Sequence, residues 1–348
     1  MIDRGQILRT LLTLAVGAAG GAVFGLLGLP AGWLTGAMVA VAAAAVAGAQ
    51  VEMPSGLRNV AFVVTGSFLG SSVSPELVSE LPRWPISLAV LIINLMVLQW
   101  AAQTFLHRVC NWDRQTAFFA AIPGLTSYVI ALALPTRADT ARIAVSQTIR
   151  LFLLMLLLPK AVSLIDVAQP VVAAPEGTLA GIAVTLAGGT LGGLLFSFIG
   201  IPAAPMLGAL LVSGILHGSG LVTGGLAQPL MIAAYVMLGG LVGSRFAGTT
   251  VRMLWTAAGA SVGAFAVSMA VAVLGAMVAG WLTGLPISQL ILAFAPGGID
   301  VMTIMAFALH LDAAFVAAHQ LVRFLMIAIY APLLSKRTGS GRGPADGG

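Results

Sequence analysis

Apolar residues run along the chain in long blocks, which short polar, glycine-containing or proline-containing stretches interrupt. Blocks that approach 20 residues are predicted to be membrane-spanning helices, because that length crosses the hydrocarbon core of a bilayer. Some blocks are shorter than this. Each half of the chain contains six of them: 7–28, 31–48, 57–73, 85–106, 114–134 and 140–162, then 177–199, 203–217, 229–244, 253–282, 288–309 and 313–334.

Composition agrees with a membrane location. Hydrophobic residues make up 59% of the chain and charged residues only 8%, whereas a soluble domain carries about 25% charged residues. The 42 glycines suit closely packed membrane helices. Most of the 16 lysines and arginines stand singly between apolar blocks, which is typical of topology signals rather than of a nucleic-acid surface. The lipid bilayer is therefore a predicted partner, and nucleic acid is not.

The two halves of the chain resemble each other at an offset of 172–173 residues. The pattern predicts a first membrane repeat at 1–168, a second at 169–334, and a polar, glycine-rich, disordered cytoplasmic tail at 335–348. The matches run in one order: Gly20-Gly21 with Gly192-Gly193, Gly66 with Gly239, Pro123-Gly124 with Pro296-Gly297, Asp139 with Asp312, and Gln147-x-x-Arg150 with Gln320-x-x-Arg323.

The fifth block of each half decides the topology. It contains Pro123-Gly124 or Pro296-Gly297-Gly298, and such residues break a helix. If the fifth block re-enters without crossing, twelve basic residues lie in the cytoplasm and only Arg83 and Lys160 lie outside. Six full crossings per half would fit this rule less well. A third reading stays open, in which the fifth block crosses and another short block does not.

The favoured reading is an all-α, polytopic transmembrane helix bundle with two inverted repeats. It has about ten spans and two broken or re-entrant segments. Both termini would be cytoplasmic, and the chain would be a multi-pass protein of the bacterial inner membrane.

Polar residues near the breaks predict a solute site. Arg150 follows Asp139 by eleven residues, about 16 Å along a helix, so it lies near the bilayer centre. Arg323 occupies the matching place, and Asp300 is an acidic residue of the second break that is free to pair with it. The alternatives are plain proline kinks and arginines that only hold helices together. The predicted site comprises Pro123, Gly124, Thr126, Ser127, Gln147, Arg150, Pro296, Gly297, Gly298, Asp300, His319, Gln320 and Arg323.

His319 and Asp300 have a second possible use. His319 precedes Arg323 by four residues, where it would either relay protons or be a hydrogen-bonded interior histidine. Asp300 has Ser127 at the matching place, and burial would let it carry a coupling proton. Two arginines against one aspartate leave the centre positive, which favours an anionic solute such as a carboxylate.

The runs Ala295-Pro-Gly-Gly-Ile-Asp300-Val-Met302 and Asp312-Ala-Ala-Phe-Val-Ala-Ala-His319-Gln320-x-x-Arg323 resemble the AbrB family of duplicated bacterial membrane proteins. The resemblance covers roughly residues 8–334, although the family usually has a glutamate where this chain has Asp300. Members are labelled "ammonia monooxygenase" or "transcriptional regulator". The residues do not point to an oxygenase, since no two of the four histidines share helical ligand spacing.

Two functions of different classes remain. The first is a secondary transporter of a small, anionic solute, with its site where the two broken segments meet. The second is a membrane sensor or regulatory protein that affects gene expression without moving its ligand across the membrane. No catalytic residue, metal site or cofactor is predicted, and assembly into a homo-oligomer is left open.

Overall fold

The computed structural model describes residues 4–71, 82, 84–124, 126–165 and 177–339. The predicted outer residue Arg83 and most of the predicted tail, 335–348, lie outside these ranges. Within them the chain forms fourteen α-helices, one π-helical turn (Phe105–Val109) and one 3₁₀ turn (Ser244–Phe246). The first-half helices are α1 Arg4–Leu26, α2 Gly32–Val46, α3 Ser55–Ser71, α4 Trp84–Thr104, α5 Arg114–Ala121, α6 Thr126–Ala133 and α7 Thr140–Ile165. The second-half helices are α8 Leu179–Ile199, α9 Ala204–Gly218, α10 Gln228–Gly243, α11 Val251–Thr283, α12 Ile287–Phe294, α13 Ile299–Ala308 and α14 Ala313–Gly339.

Seven elements in the described ranges are long and apolar enough to cross a membrane. They comprise α1, α4 with its π-helical turn, α7, α8, α10 with its 3₁₀ turn, α11, and α14 as far as Ala331. Helices α2, α9 and α13 are apolar but shorter. The predicted class, an all-α membrane helix bundle, is therefore confirmed.

The fifth apolar block of each half is broken into two short helices, α5–α6 and α12–α13. A residue before proline is pushed from the helical to the extended conformation. Ile122, before Pro123, accordingly has φ −61° and ψ 119°, and Ala295, before Pro296, has φ −55° and ψ 138°. The predicted breaks therefore occur where the local sequence requires them.

Close helix packing depends on glycines at equivalent places in the two halves. Helix α3 lies against α9, where a Cβ built on Gly66 would be 2.2 Å from the Met206 carbonyl oxygen. Helix α10 lies against α2, where a Cβ on Gly239 would be 2.4 Å from the Leu34 carbonyl oxygen. Only glycine permits backbones to approach so closely. These contacts build one part of the bundle from α1–α3 and α8–α10.

Candidate functional site

The first broken segment is a hairpin beside α7. At its base, the Asp139 amide donates to Thr116 Oγ1 at 2.8 Å, and at its tip, Arg150 Nη1 donates to the Ile122 carbonyl at 3.1 Å. Residue numbers rise together along the two helices, so α5 runs parallel to α7. The chain must then return from Ile122 to Asp139, and α6 makes that return. The tip of the hairpin thus lies level with Arg150.

The second broken segment is held against α14 in the same way. Gln320 Nε2 donates to the carbonyls of Leu292 and Ala293 at 3.0 and 3.1 Å. Arg323 donates from Nη1 to the Ala295 carbonyl and from Nη2 to the Gly297 carbonyl. The tip of this hairpin therefore lies level with Arg323, and α13 leads back toward the start of α14.

The hydrogen bonds of the arginines have a local cause. The last carbonyls of a helix have no partner within that helix, and α5 and α12 both end inside the protein. Arg150 and Arg323 supply the missing donors. In both halves, the predicted Gln-x-x-Arg motif thus positions a hairpin, and the glutamine contributes a further bond, from Gln147 Nε2 to the Phe119 carbonyl at 3.4 Å.

The two arginines form one buried cluster with Tyr330 of α14. Arg150 is 6% exposed, Arg323 3% and Tyr330 8%. Tyr330 packs with Ile122, whose carbonyl accepts from Arg150, and the hairpin that Arg323 holds also contacts α7. Within the described part of the chain, the ion pairs are Arg9–Glu52 and Arg142–Asp139, and neither includes a central arginine. Among the described residues, neither arginine of the cluster therefore has a carboxylate oxygen within 4.0 Å of its guanidinium.

Asp300 does not form the expected ion pair with Arg323. Its side chain is 9% exposed and borders a small cavity with about 10 Å³ of room, lined by Leu34, Phe62 and Leu238 among others. The first turn of α13 thus borders α2, α3 and α10, while the carboxylate lies beside the hairpin tip, where a Cβ built on Gly298 would be 2.7 Å from Asp300 Oδ1. Arg323 is instead occupied by the hairpin carbonyls.

His319 is completely buried at the start of α4. Its Nδ1 lies 2.9 Å from the Phe315 carbonyl oxygen, and its Nε2 lies 2.8 Å from Ser87 Oγ. The ring also lies edge-on to Trp84, with 6.1 Å between centroids. Of the two interpretations from sequence, this geometry corresponds to the hydrogen-bonded interior histidine.

The other predicted site residues lie at the hairpin tips. Pro123 is buried at the first tip, and the adjacent Gly124 packs near Ile327 of α14. Thr126 is the first residue of α6, and the side chain of Ser127 lies outside the part of the chain that the structure describes. Pro296 is buried at the second tip. Gly298 is the N-cap residue of α13, and as a glycine it has no side chain to cap the helix.

Tyr330 is a member of the cluster that sequence reasoning missed. Its hydroxyl is buried and has no hydrogen-bond partner among the described residues. The sequence does contain a signal for this residue, since a tyrosine inside an apolar segment usually needs a hydrogen-bond partner for its hydroxyl. The first half has Leu157 at the matching place, so the repeat pattern did not draw attention to it.

These features define a class: a helical membrane-type protein in which two broken hairpins flank a buried cationic centre. A family profile described as "Transition state regulatory protein AbrB" matches residues 33–339, and the chain belongs to this AbrB family. It is 28% identical to "Uncharacterized protein YhjN" of Bacillus subtilis (strain 168), with 94% of this chain and 92% of the relative covered. It is 25% identical to "Putative regulator AbrB" of Escherichia coli (strain K12), with 88% and 90% covered.

Proposed function

We propose that the protein is a secondary transporter of a small anionic solute, which binds where the two hairpin tips approach the centre of the bundle. The observation that carries the proposal is the pair of buried arginines, Arg150 and Arg323, neither of which forms an ion pair with a carboxylate in the part of the chain that the structure describes. A charge at the centre of a bilayer costs about 2.5–3.5 kcal/mol on insertion scales, so such residues usually serve a ligand or ion path. An anion would balance this cluster.

Two inverted repeats are part of the proposal, and helix directions support them. Asn94 Nδ2 of α4 donates to the Val271 carbonyl of α11 at 2.8 Å, and the Phe105 ring lies beside Gly263. Residue numbers rise along α4 as they fall along α11, so these equivalent helices run antiparallel. Inverted repeats with broken helices at their interface are a common transporter plan.

Ten crossings and two re-entrant hairpins fit the same contacts. Both ends of each hairpin lie near the start of the long helix that follows it, α7 or α14, and its tip lies level with the arginine of that helix. Each hairpin would therefore enter the membrane only as far as the arginine and return to the same side. Arg9 lies 3.9 Å from Glu52, and residues 45–51 border one pocket with residues 247–251. The start of α1, the end of α2 and the start of α11 therefore share one face, which we assign to the cytoplasm.

Labelling of single cysteines tests this topology. In a Cys110→Ala background, Arg137→Cys and Thr250→Cys are expected to react with a membrane-impermeant maleimide only in inside-out vesicles. Lys160→Cys, at the end of α7, is the matched control and is expected to react only in right-side-out vesicles. Reaction of Arg137→Cys or Thr250→Cys from the side that labels Lys160→Cys would contradict the inverted arrangement.

Uptake into proteoliposomes tests transport. The wild-type protein is expected to accumulate at least one labelled anion among acetate, pyruvate, succinate and phosphate above the level of empty liposomes. Arg150→Gln should reduce that uptake about tenfold or more, because a hydrogen bond to a charged group contributes about 1.5–3 kcal/mol. Arg137→Gln, at an exposed position, is the control and should transport normally. Equal uptake by Arg150→Gln and the wild-type protein would place the solute elsewhere.

A membrane sensor is the second candidate function, and the name of the Escherichia coli relative, "Putative regulator AbrB", favours it. A sensor would bind the solute at the same buried centre without moving it across the membrane. Ligand-dependent stabilisation of the purified protein, together with no uptake in proteoliposomes of either orientation, would favour the sensor over the transporter.

A further inference from the structure

The two central arginines occupy equivalent places but use their donors differently. Arg323 uses both terminal nitrogens, Nη1 and Nη2, on the carbonyls of Ala295 and Gly297. Arg150 has one hydrogen bond to a described residue, from Nη1 to the Ile122 carbonyl. Its Nε is buried without a partner, and the bond from Nη1 is the only side-chain hydrogen bond of Arg150 among the described residues. One arginine is thus committed to its hairpin, and the other keeps one edge available.

The free edge of Arg150 has a specific shape. Nε and Nη2 present two parallel N–H groups in the plane of the guanidinium, and this fork matches the two oxygens of a carboxylate. The residue is 6% exposed and its Nε is fully buried, so water competes little for the Nε donor. A buried guanidinium with an unpaired Nε can therefore accommodate a planar oxyanion at this edge.

Tyr330 provides a second donor at the same place. Its hydroxyl is buried and unpaired among the described residues, and its side chain packs in one buried cluster with Ile122, whose carbonyl accepts from Arg150. A phenol hydroxyl beside guanidinium groups donates readily to an anion that lies between them. The first half has Leu157 at the matching position, so this donor is present once and makes the centre asymmetric.

We propose that a carboxylate group of the solute binds to the Nε–Nη2 edge of Arg150 and accepts a further hydrogen bond from the Tyr330 hydroxyl. Arg323 is then a positioning residue, which holds the second hairpin and does not contact the solute. This inference rests on the proposed anion transport. It narrows the solute from small anions in general to carboxylates.

Uptake kinetics of four variants test the assignment. We expect Tyr330→Phe to raise the KM for the transported carboxylate, acetate, pyruvate or succinate, about tenfold, and Arg150→Lys to raise it at least as much, since lysine lacks the planar fork. Both should melt in detergent at the wild-type temperature when no solute is present. Tyr235→Phe removes a hydroxyl from α10 and is the matched control, with an unchanged KM. Arg323→Lys should lower the melting temperature, because lysine lacks the fork with which Arg323 donates to two hairpin carbonyls.

The outcomes separate this inference from the proposed function. Carboxylate uptake by the wild-type protein with an unchanged KM in Tyr330→Phe would overturn the inference and leave anion transport standing. Uptake of phosphate without any carboxylate would also overturn the inference alone. No uptake of any of the four anions would overturn both. An increase in KM in Arg323→Lys at an unchanged melting temperature would show that the two arginines share the solute, contrary to the assignment.

Discussion

Leucine in place of Gly66 or Gly239 is expected to prevent the accumulation of folded protein in the membrane. A Cβ at these positions would lie 2.2 Å from the Met206 carbonyl oxygen or 2.4 Å from the Leu34 carbonyl oxygen. Both neighbours are backbone atoms, so a change of rotamer cannot relieve the overlap, and the helices must separate. Overpacking in a core costs about 1–3 kcal/mol and more where the backbone has to move. The loss should be similar in the two variants, because the contacts are equivalent.

A matched control lies in α11. Gly259 is exposed, and a Cβ there would meet no atom within 4 Å. Gly259→Leu makes the same change in the middle of an apolar helix without the collision, so it is expected to accumulate normally. Fluorescence-detected size-exclusion chromatography of a tagged protein measures the folded yield. Normal yields for Gly66→Leu and Gly239→Leu would show that the backbones of α3 and α9, and of α2 and α10, lie farther apart than in the structure.

The hairpin breaks were predictable because their cause is local. A proline disfavours the helical conformation of the residue before it, and Pro123 and Pro296 are each followed by a glycine, so both sites break their helices. Pro159, which no glycine follows, lies inside α7. The position of Arg150 well inside α7 was also predictable, since helical rise converts a residue count into a distance. These two inferences together placed a broken backbone and a buried arginine at the same level of the bundle, and Arg150 does donate to the Ile122 carbonyl at the break.

The partners of the buried polar groups were not predictable in the same way. Asp300 and Arg323 are both deep and opposite in charge, and an ion pair between them was a reasonable expectation. The direction of the Asp300 carboxylate, however, depends on the rotation of α13, which brings its first turn toward Leu34 and Leu238. Contacts between helices far apart in sequence set that rotation. The same reason explains why Tyr330 was missed.

The contacts of the matched glycines were predictable only in part. The matched positions of Gly66 and Gly239 indicated that the residues matter, but not which helix approaches each of them. The structure shows that each glycine receives a backbone carbonyl from the second helix of the other half, Met206 or Leu34. A sequence offset identifies equivalent residues, whereas the partner of each depends on how the two halves pack together.

Arg323→Ala and Arg150→Ala are expected to destabilise the protein by similar amounts. Both side chains are buried, so the gain from removing a buried charge is similar in the two variants. Each variant leaves one hairpin carbonyl without its donor, that of Gly297 or that of Ile122, because the Ala295 carbonyl still accepts from the Gly297 amide. A buried carbonyl left without a donor costs about 1–3 kcal/mol. The free energy of unfolding should therefore fall by about 1–3 kcal/mol in each variant, measured by unfolding in mixed detergent micelles with increasing dodecyl sulfate.

Asp300→Asn supplies the decisive comparison for the partner of Arg323. The two side chains form no ion pair, so removing the charge of Asp300 should change stability by the same amount in the wild-type and Arg323→Ala backgrounds. Independent residues add to within about 0.3–0.5 kcal/mol in such a double-mutant cycle. Breaking a buried ion pair by removing one partner, by contrast, costs about 3–5 kcal/mol. Rescue of Arg323→Ala by Asp300→Asn on that scale would mean that Arg323 holds the carboxylate of Asp300 rather than the carbonyls of the hairpin.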